Sequence, residues 1–277
     1  MFETIMEFFD DGVPKDDFER MLLATNLVGA TNLKELSKRE RLISIEAQKS
    51  LILNPIKGSF DYPHLKAIHK FIFQDIYTWA GLDRFDMGLY GFMGKGDSIF
   101  CKGGFIPQQA KVIFENLKAQ NFYKDCKEIE SFAHKLSLFM ADLNALHPFR
   151  EGNGRVQRIF VNDLAKNAGF VLDLNLTPKE QMLEACIKAM NGENEKLYML
   201  VKNNLYESTQ QDMQERLESN LRNFDKVSDT QQRKEFLKRA NDIAKLAKER
   251  KIPLESQSLQ ELERRNQVKS ISITKER

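Results

Sequence analysis

Apolar side chains recur every three or four positions along most of the chain, a spacing that places them on one face of an α-helix. The pattern covers four segments: residues 31–53, 62–81, 127–147 and 155–169. One stretch, within residues 84–107, departs from it and has strand-like composition instead. The sequence therefore predicts a mainly α protein with one small β element.

Capping residues set the expected ends of these helices. Thr31 or Asn32 can cap the first helix. Its predicted buried face consists of Leu33, Leu36, Leu42 and Ile43. The second helix is expected to stop at Gly81, because glycine readily ends a helix. His69, within that second helix, is predicted to be structural.

The third segment and a later stretch give further expectations. The predicted inner face of the third segment consists of Ile129, Phe132, Leu136, Phe139, Met140 and Leu143. A capping box predicts another helix, with Thr177 at the N-cap, Pro178 in the first helical position and Glu180 in the third. Both stretches add to the expected helical content.

Residues 84–107 have the composition of a β-hairpin. The stretch begins at Arg84, ends at Pro107 and holds six glycines among aromatic and β-favouring residues, with a glycine-rich tip near residues 94–97. Strands with few polar side chains can accept another chain along their edge. The segment is therefore either a docking hairpin or a purely structural one.

The composition changes beyond Tyr206. Aromatic residues become scarce there and charges alternate in sign. Four residues keep helical spacing: Phe236, Ala240, Ile243 and Ala247. Pro253 is expected to interrupt the helices of this part. We therefore predict one domain over residues 1–206 and a charged helical C-terminal extension over residues 207–277.

The overall composition narrows the class of protein. The 42 basic and 40 acidic residues leave a formal charge of +2 without a basic stripe, so nucleic acid is not expected as a partner. The three cysteines lie far apart, which argues against a disulfide framework and a zinc site. No segment approaches the roughly 20 apolar residues of a membrane span, and the acidic N-terminus does not resemble a signal peptide. The expectation is a soluble, cytoplasmic protein.

The stretch HPFREGNGRVQR, residues 147–158, concentrates groups with chemical uses. It joins the end of one predicted helix to the start of the next, so it includes a helix N-terminus with free amides and a positive dipole end. Gly152 and Gly154 leave those amides open to an anion such as a phosphate. Arg155 and Arg158, three positions apart, can grip further phosphate oxygens from one helix face.

The other residues of the stretch complete a candidate nucleotide site. Glu151 offers a hard oxygen ligand for Mg²⁺ that arrives with a nucleotide, and Asn153 can donate to a phosphate oxygen. His147 is suited to accept a proton near neutral pH. Phe149 is interpreted as a core anchor that pins the loop. The pattern predicts a site for a nucleotide phosphate and Mg²⁺ with a base beside it, and the alternative is a set of surface ion pairs around a helix cap.

These residues resemble the signature of the Fic family, His-x-Phe-x-Asp/Glu-Gly-Asn-Gly-Arg-x-x-Arg, at every specified position. Two further stretches are similar to the family: IYTWAGLDR at residues 76–84 and TNLVGATNLKELSKRE at residues 25–40. The resemblance covers roughly residues 25–206 and leaves the charged tail outside. It implies a Fic-type helical bundle, with residues 84–107 in the place of the family's small β-hairpin flap.

Proteins of this family move AMP from ATP to a hydroxyl side chain of a target protein and release pyrophosphate, so the resemblance implies a protein adenylyltransferase. ATP is then the substrate, Mg²⁺ the metal, and a protein with a serine, threonine or tyrosine hydroxyl the partner. The implied base is His147, and the implied metal ligand is Glu151. The remaining implied roles are Gly152, Asn153 and Gly154 as anion cradle, Arg155 on the β- and γ-phosphates, Arg158 on the γ-phosphate, Phe149 as structural anchor and Arg84 to Pro107 as the flap that docks the target.

Two alternatives stay open from the sequence. A related branch of the family binds ATP reversed and phosphorylates its target, or the chain transfers another phosphate-containing group. That branch has lysine in place of the second signature glycine, whereas Gly154 is present here. The other alternative is a catalytically silent module that only binds nucleotide. The intact His147 argues against it, because a binder has no need of a base.

The way in which the activity is regulated is predicted from an inhibitory motif that the chain lacks. Family members are commonly inhibited by a helix bearing Ser/Thr-x-x-x-Glu-Gly/Asn, whose glutamate pairs with the second signature arginine, here Arg158. Thr31 and Glu35 have the spacing, but Leu36 follows them. A separate small antitoxin-like inhibitor is therefore expected, with the C-terminal tail or a degenerate internal helix as the alternative. A bacterial toxin in its own cytoplasm and an effector secreted into a host cell both fit.

Overall fold

The computed structural model describes residues 17–95, 98–174, 177–249 and 251–274 of the chain. Helices dominate these residues, which confirms the expected mainly α fold. They are α1 (Asp17–Thr25), α2 (Leu33–Leu53), α3 (Tyr62–Phe73), α4 (Ile106–Ala119), α5 (Ile129–Leu146), α6 (Asn153–Ala168), α7 (Lys179–Met190), α8 (Glu195–Asn203), α9 (Gln210–Lys226), α10 (Thr230–Glu249) and α11 (Ser256–Thr274). Strand β1 (Gly94–Lys95) pairs with β2 (Ser98–Ile99), and β3 (Phe170–Leu172) pairs with β4 (Leu205–Glu207). Within this described part, none of the helices has both the length and the apolar character that crossing a bilayer requires.

Helix α2 begins at the second of its two proposed caps. The side-chain oxygen of Asn32 accepts a hydrogen bond from the Glu35 amide at 2.9 Å. The buried positions along one face of α2 include Leu33, Leu36, Glu40 and Ser44. Leu42 is 61% exposed instead, so its predicted place on the buried face is wrong. A step of four residues along the helix from Leu36 leads to position 40 and not to position 42. The side chain buried on this face is therefore the carboxylate of Glu40, whereas the sequence pattern places Leu42 there.

Helix α3 ends earlier than its apolar pattern predicts. It stops at Phe73, and the amides of Ile76 and Tyr77 both donate to the Phe73 carbonyl at 2.9 Å in a turn. Ile76 is still fully buried, so the apolar spacing continues across the turn and resembles a longer helix. The predicted end at Gly81 is therefore wrong.

Helix α7 lacks its predicted capping box. It begins at Lys179, with Pro178 at the N-cap position and no side-chain hydrogen bond to the cap. The hydroxyl of Thr177 instead accepts a hydrogen bond from the side-chain amide of Asn204 at 3.3 Å. The prediction is wrong because a tertiary contact occupies the oxygen that would have capped the helix.

The predicted hairpin contains a short antiparallel ladder. Gly94 pairs with Ile99, and Lys95 pairs with Ser98. Residues 96 and 97, at the predicted tip, lie outside the described residues. The strands are thus confined to a small part of the predicted segment, and turns make up much of the remainder.

Two glycines hold the arms of the hairpin together at its base. The Gly103 amide donates to the Gly91 carbonyl at 2.9 Å, and the Gly104 amide donates to the Tyr90 carbonyl at 3.1 Å. A Cβ on Gly103 would lie 1.8 Å from the Leu89 carbonyl oxygen, so this close approach requires glycine. Because α4 begins directly after this region, the last residues of the predicted hairpin belong to a helix.

The chain divides into two compact units. The first comprises residues up to Ala168 together with Leu172–Leu205. Five residues of the predicted inner face of α5 are buried in its core: Phe132, Leu136, Phe139, Met140 and Leu143. Phe160 of α6 lies against Phe139, with ring centroids 5.8 Å apart. The packing of α5 on α6 fixes both ends of the loop that joins them.

The second unit consists of Gly169–Val171 and the residues from Tyr206 onward. Its apolar core is formed by α9, α10 and α11 through Met213, Leu217, Leu221, Leu237, Ala240, Ile243 and Leu262. Because α10 ends at Glu249 and α11 begins at Ser256, the predicted interruption around Pro253 is confirmed. The charged tail therefore has a hydrophobic core of its own.

Candidate active site

The candidate site is built on the loop between α5 and α6. Helix α5 ends at Leu146, and His147 follows in the left-handed region with a φ of 41°. Helix α6 begins at Asn153, within the stretch of residues 147–158 where the sequence predicts a helix start. His147 and Glu151 therefore lie on the loop, and both arginines lie on the first turns of α6.

Phe149 and Asn153 fix the course of this loop. The Phe149 ring is buried against His69, with centroids 4.0 Å apart and planes inclined by 15°. The side chain of Asn153 accepts a hydrogen bond from the Phe149 amide at 2.9 Å and donates one to the Phe149 carbonyl at 2.7 Å. The Asn153 side chain thus holds the loop backbone, and Phe149 occupies a core position.

His69 ties the loop to the turn after α3. The Gly81 amide donates to its Nδ1 at 2.8 Å, which assigns the proton to Nε2, and Nε2 lies 3.2 Å from the Glu151 carbonyl oxygen. Burial lowers the pKa of His69 to about 3, so the ring is neutral. Its predicted structural role is confirmed by these contacts.

Gly152 lies in close contact with the core. Its φ is +83°, and a Cβ at this position would lie 2.3 Å from two carbons of the Phe73 ring. At Gly154, by contrast, the nearest atom to such a Cβ is Nη1 of Arg158, 3.9 Å away. The protein itself therefore requires glycine at the first position, while the second leaves space beside the start of α6.

Arg84 connects the loop to the hairpin. Its Nε donates to the His147 carbonyl at 3.0 Å, and its Nη2 donates to the carbonyls of Cys101 at 2.6 Å and Leu146 at 3.3 Å. The Arg84 amide also donates to the Pro148 carbonyl at 2.8 Å. One buried side chain thus fixes the loop and the returning arm of the hairpin. The sequence indicated Arg84 as the start of the hairpin and as the last residue of the family-like stretch 76–84, and neither indication predicted this role.

The returning arm of the hairpin also positions the candidate base. Phe100 stacks on the His147 ring, with centroids 3.7 Å apart and planes inclined by 16°. The Cys101 amide donates to the Ala145 carbonyl at 2.8 Å, which holds this arm against the end of α5. Both rings are buried, so the orientation of the imidazole is set by packing. No pattern in the sequence indicated this role of Phe100.

Arg155 lies in an ion network that the sequence did not indicate. Its guanidinium donates to Oε1 of Glu40 at 2.6 Å, to Oε1 of Glu151 at 3.2 Å and to the Ser44 hydroxyl at 3.0 Å. It also lies over the Phe73 ring, 4.7 Å from the centroid. Glu40 is only 2% exposed, and Glu151 is buried as well.

Tyr77 completes this network by donating its hydroxyl proton to the second oxygen of Glu40. Burial raises the pKa of Glu40, while the charge of Arg155 acts against that shift. Burial and the neighbouring Glu40 raise the pKa of Tyr77, so its hydroxyl remains a donor. Burial disfavours the charged form of Arg155, but the two carboxylates outweigh it and raise the pKa of the guanidinium. The available sequence signal was the position of Glu40, four residues after the buried Leu36.

Arg158 differs from Arg155 in its surroundings. It is exposed, and within the described ranges it pairs with no acidic side chain. The surrounding protein and the charge of Arg155 lower the pKa of its guanidinium. A cation without an acidic partner beside a helix N-terminus is available to an anion.

The acidic residue with inhibitor-like spacing lies elsewhere. Glu35 accepts a hydrogen bond from the Thr31 amide at 3.2 Å and pairs with Arg39 at 2.5 Å. These contacts are local to the start of α2. The part of the chain that the structure describes therefore places no carboxylate on Arg158.

Glu151 fits the role of a ligand for Mg²⁺ that arrives with a nucleotide. Its Oε1 accepts hydrogen bonds from the Gly152 amide at 2.8 Å and from Arg155. No group of three or more His, Cys, Asp or Glu side chains comes together as a metal site in the described residues. Mg²⁺ in nucleotide sites is usually held by one or two carboxylates together with substrate phosphates. A single carboxylate beside an anion site matches that arrangement.

Residues 59–165 match the Fic/DOC family. The chain is also 38% identical over 136 residues to the Sinorhizobium fredii protein named "Probable protein adenylyltransferase y4lH", a match that covers 49% of this chain and 68% of that protein. The chain belongs to the Fic/DOC family. Its signature residues are thus part of a family pattern that includes α3, the hairpin, the loop and nearly all of α6.

A second relative matches more of this Fic chain. Protein adenylyltransferase VbhT of Bartonella schoenbuchensis is 33% identical over 184 residues, which cover 66% of this chain but 37% of VbhT. A solved structure, the N-terminal Fic domain of a VirB-translocated Bep effector protein from Bartonella quintana with bound ADP, superimposes with a TM-score of 0.63. It is 26% identical, and the match covers 72% of this chain and 94% of that domain. The helical architecture is therefore shared with solved Fic domains.

Proposed function

We propose that this Fic protein is a protein adenylyltransferase, which moves AMP from ATP to a serine, threonine or tyrosine hydroxyl of a target protein and releases pyrophosphate. The observation that carries the proposal is that three groups lie on one short segment that includes the start of α6: His147, Glu151 and Arg158. In the part of the chain that the structure describes, Arg158 pairs with no acidic side chain. A base, a metal ligand and an anion site are thereby available together. Relatives named protein adenylyltransferase support the same activity.

The start of α6 is the proposed anion cradle for the phosphates. Gly152, Asn153 and Gly154 place backbone amides at the positive end of the helix, where no earlier helical carbonyl can accept their hydrogen bonds. Because the Asn153 side chain forms hydrogen bonds to the loop backbone, we assign the phosphate contact of Asn153 to its main-chain amide. Arg158 supplies the exposed cation for the γ-phosphate.

The proposed transfer step uses His147 as general base. Its imidazole accepts the proton of the target hydroxyl, and the hydroxyl oxygen forms a bond to the α-phosphorus of ATP. The bond between the α-phosphorus and the oxygen bridging to the β-phosphate breaks, and pyrophosphate leaves. The stack on Phe100 holds the imidazole plane during this step.

In this proposal, Arg155 and Glu151 stabilise the pyrophosphate leaving group. Arg155 contacts the β- and γ-phosphates from the base of the site, and Glu151 holds Mg²⁺ that enters with ATP. When bound, the metal neutralises charge that develops on the pyrophosphate. Fixed cations and a metal around a transferring phosphate are the recurring means of stabilising such a transition state.

The hairpin within residues 84–107 is the proposed docking flap for the target. Its exposed apolar side chains include Phe92, which is 75% exposed, and Ile99, which is 69% exposed. Its returning arm also contacts His147 through Phe100, so a segment paired with the hairpin would lie near the base. This arrangement supports docking over a purely structural role.

Phosphate transfer is the second candidate reaction. The related kinase branch resembles this signature but carries lysine at the position of Gly154, and the structure leaves that position open. Incubation with ATP labelled at the α-phosphate and with cell lysate tests AMP transfer directly. Mass spectrometry of the labelled target then separates AMP from phosphate by the added mass, and a product carrying only phosphate would contradict the proposal.

Removing Arg158 or Glu151 should weaken the binding of ATP with Mg²⁺ by about tenfold or more. Each substitution by alanine removes one charge contact to the triphosphate or its metal, and a hydrogen bond to a charged group contributes about 1.5–3 kcal/mol. Isothermal titration with ATP in the presence of Mg²⁺ measures the change. Arg150→Ala is the matched control, because the Arg150 guanidinium lies over the Phe18 ring at 3.7 Å. Unchanged affinity in both test variants would contradict the cradle assignment.

The proposed regulation of the enzyme is inhibition by a separate small antitoxin-like protein. Such a partner would place a glutamate on Arg158 and displace the γ-phosphate from it. The absence of an acidic partner on Arg158 within the described residues, and the local contacts of Glu35, support this proposal. The division into a Fic domain over residues 1–206 and a C-terminal extension over residues 207–277 provides the alternative inhibitor, the tail.

Expression of the chain alone should therefore give toxicity and self-modification in bacteria. Both effects should disappear in the His147→Ala variant if they arise from transfer. Growth curves and incorporation of labelled AMP measure the two effects. Inactivity that is relieved by truncation after Tyr206 or by Glu35→Gly would place the inhibitor inside the chain instead.

The setting of this activity is either the bacterial cytoplasm or, after secretion, a host cell. The Bartonella quintana relative is named as a VirB-translocated effector, which supports the second setting. A reporter enzyme fused to the chain would show whether it reaches the host. Activity of the fusion confined to the bacterium would leave the toxin role.

A further inference from the structure

We infer that Glu40 is a positioning residue that balances the charge of Arg155, so that Glu151 can give its carboxylate to a cation. The inference rests on the proposed function of the same site. Two carboxylates, from Glu40 and Glu151, face the single guanidinium of Arg155. The site therefore holds one acidic group more than is needed to neutralise Arg155.

The two carboxylates are unequal partners of this arginine. Both contact the same nitrogen, Nη2 of Arg155, but Glu40 lies at 2.6 Å and Glu151 at 3.2 Å. Glu40 belongs to α2, whereas Glu151 and Arg155 belong to the signature segment itself. The shorter and better buried contact therefore comes from outside the signature.

The ion pair between Glu40 and Arg155 affects whether the carboxylate of Glu151 is available to a metal. The Arg155 side chain is 17% exposed, and a largely buried guanidinium needs a counter-charge, because leaving it unpaired is costly. Without the carboxylate of Glu40, Glu151 would be the remaining acidic partner of Arg155. Mg²⁺ and Arg155 would then compete for the same carboxylate. With Glu40 present, Arg155 keeps a partner when Glu151 turns to the metal.

Glu40 is held in place by Tyr77, and its ion pair is with Arg155 and not with the exposed Arg158. Its second oxygen accepts the hydroxyl hydrogen bond of Tyr77, a residue that is also buried. Its salt bridge is to Arg155, and the exposed Arg158 is left free of it. Glu40 therefore differs from an inhibitory glutamate, which would occupy the γ-phosphate contact.

The test is the Mg²⁺ dependence of ATP binding in a Glu40→Gln variant of the full chain. The glutamine keeps the size of the side chain and removes its charge. Removing a group that contacts a metal ligand directly typically costs about 10- to 100-fold in metal affinity. Glu40 acts one contact further out, through Arg155, so the Mg²⁺ concentration for half-maximal ATP binding should rise by up to that factor. Calorimetric titration with ATP in EDTA should give nearly native affinity. In transfer assays, saturating Mg²⁺ should restore kcat, which a purely structural defect would not allow.

Three further variants separate this role from a general loss of structure. Glu46→Gln is the matched control, because Glu46 is exposed on the same helix and pairs with Lys49 at 2.7 Å. It should leave the Mg²⁺ dependence unchanged. Tyr77→Phe keeps every charge, removes one donor to Glu40 and should shift the dependence in the same direction by a smaller factor. In a Glu151→Gln background, Glu40→Gln should have no further effect on the Mg²⁺ requirement, since both act through one carboxylate.

An unchanged Mg²⁺ dependence in both Glu40→Gln and Tyr77→Phe would overturn the inference, and so would tighter ATP binding with faster transfer, which would make Glu40 an inhibitor. If Glu40→Gln does not fold, as judged by thermal unfolding, the decision rests on Tyr77→Phe. Failure of the native protein to transfer AMP would count against the proposed function alone. The titrations of ATP and Mg²⁺ would still decide the role of Glu40.

Discussion

Replacing His147 with alanine should lower the rate of AMP transfer by about a hundred- to ten-thousand-fold, the usual contribution of a general base. The affinity for ATP should change little, because the imidazole acts on the incoming hydroxyl and not on the phosphates. Single-turnover transfer of labelled AMP measures the first quantity, and calorimetric titration with ATP measures the second. A loss of kcat without a loss of ATP affinity is the expected signature.

Two controls separate the chemistry from the shape of the loop. His147 has a left-handed backbone and stacks on Phe100, so alanine removes packing as well as the base. Asparagine tolerates this backbone region, and His147→Asn should be as inactive as the alanine variant. His134→Ala removes an exposed histidine from α5, the helix that ends just before His147, and should leave transfer unchanged. Near-native transfer by both His147 variants would contradict the assigned mechanism.

Replacing Gly152 with alanine should destabilise the Fic unit by about 2–5 kcal/mol. The left-handed backbone at φ +83° costs a residue with a Cβ about 1–2 kcal/mol, and overpacking a core adds about 1–3 kcal/mol. The new Cβ would meet the Phe73 ring at 2.3 Å, and that ring is fully buried beside His69. Urea unfolding followed by circular dichroism measures the loss.

Gly154→Ala is the matched comparison for this substitution. Its Cβ would meet nothing nearer than 3.9 Å, so the variant should fold with nearly native stability. The added methyl would occupy the open side of the anion cradle, and ATP affinity should fall. Equal stability of the two variants would show that Gly152 does not hold the strained, close-packed position described above.

The sequence alone determined the local features of this protein. The period of apolar residues predicted α5 and α6, and the start of α6 followed from the pattern of residues 147–158. The same stretch identified His147, Glu151 and Arg158 as the groups with chemical uses. Such features could be inferred because helical periodicity, and the residues that surround a helix start, are set by neighbours along the chain.

The same local reasoning failed where a distant contact changed the outcome. The apolar spacing of α3 continues through Ile76, which belongs to a turn, so the helix end was placed too late. Thr177 occupies the N-cap position of a capping-box pattern, but its hydroxyl oxygen accepts a hydrogen bond from Asn204. In both cases, tertiary packing outweighed a local preference that amounts to about 1 kcal/mol.

Only the tertiary structure decided how the signature is held and what surrounds it. Glu40 stands 115 positions before Arg155, Arg84 stands 63 positions before His147, and Phe100 reaches the same imidazole from the hairpin. In the sequence, Glu40 and Arg84 end the two stretches that resemble the Fic family, but a charged residue is ordinarily expected to be solvent-exposed. Their function depends on burial beside a particular partner. That proximity is created by the packing of α2, α3 and the hairpin around the loop. The helical spacing of Glu40 from Leu36 indicates a shared helix face, but it does not identify the distant partner.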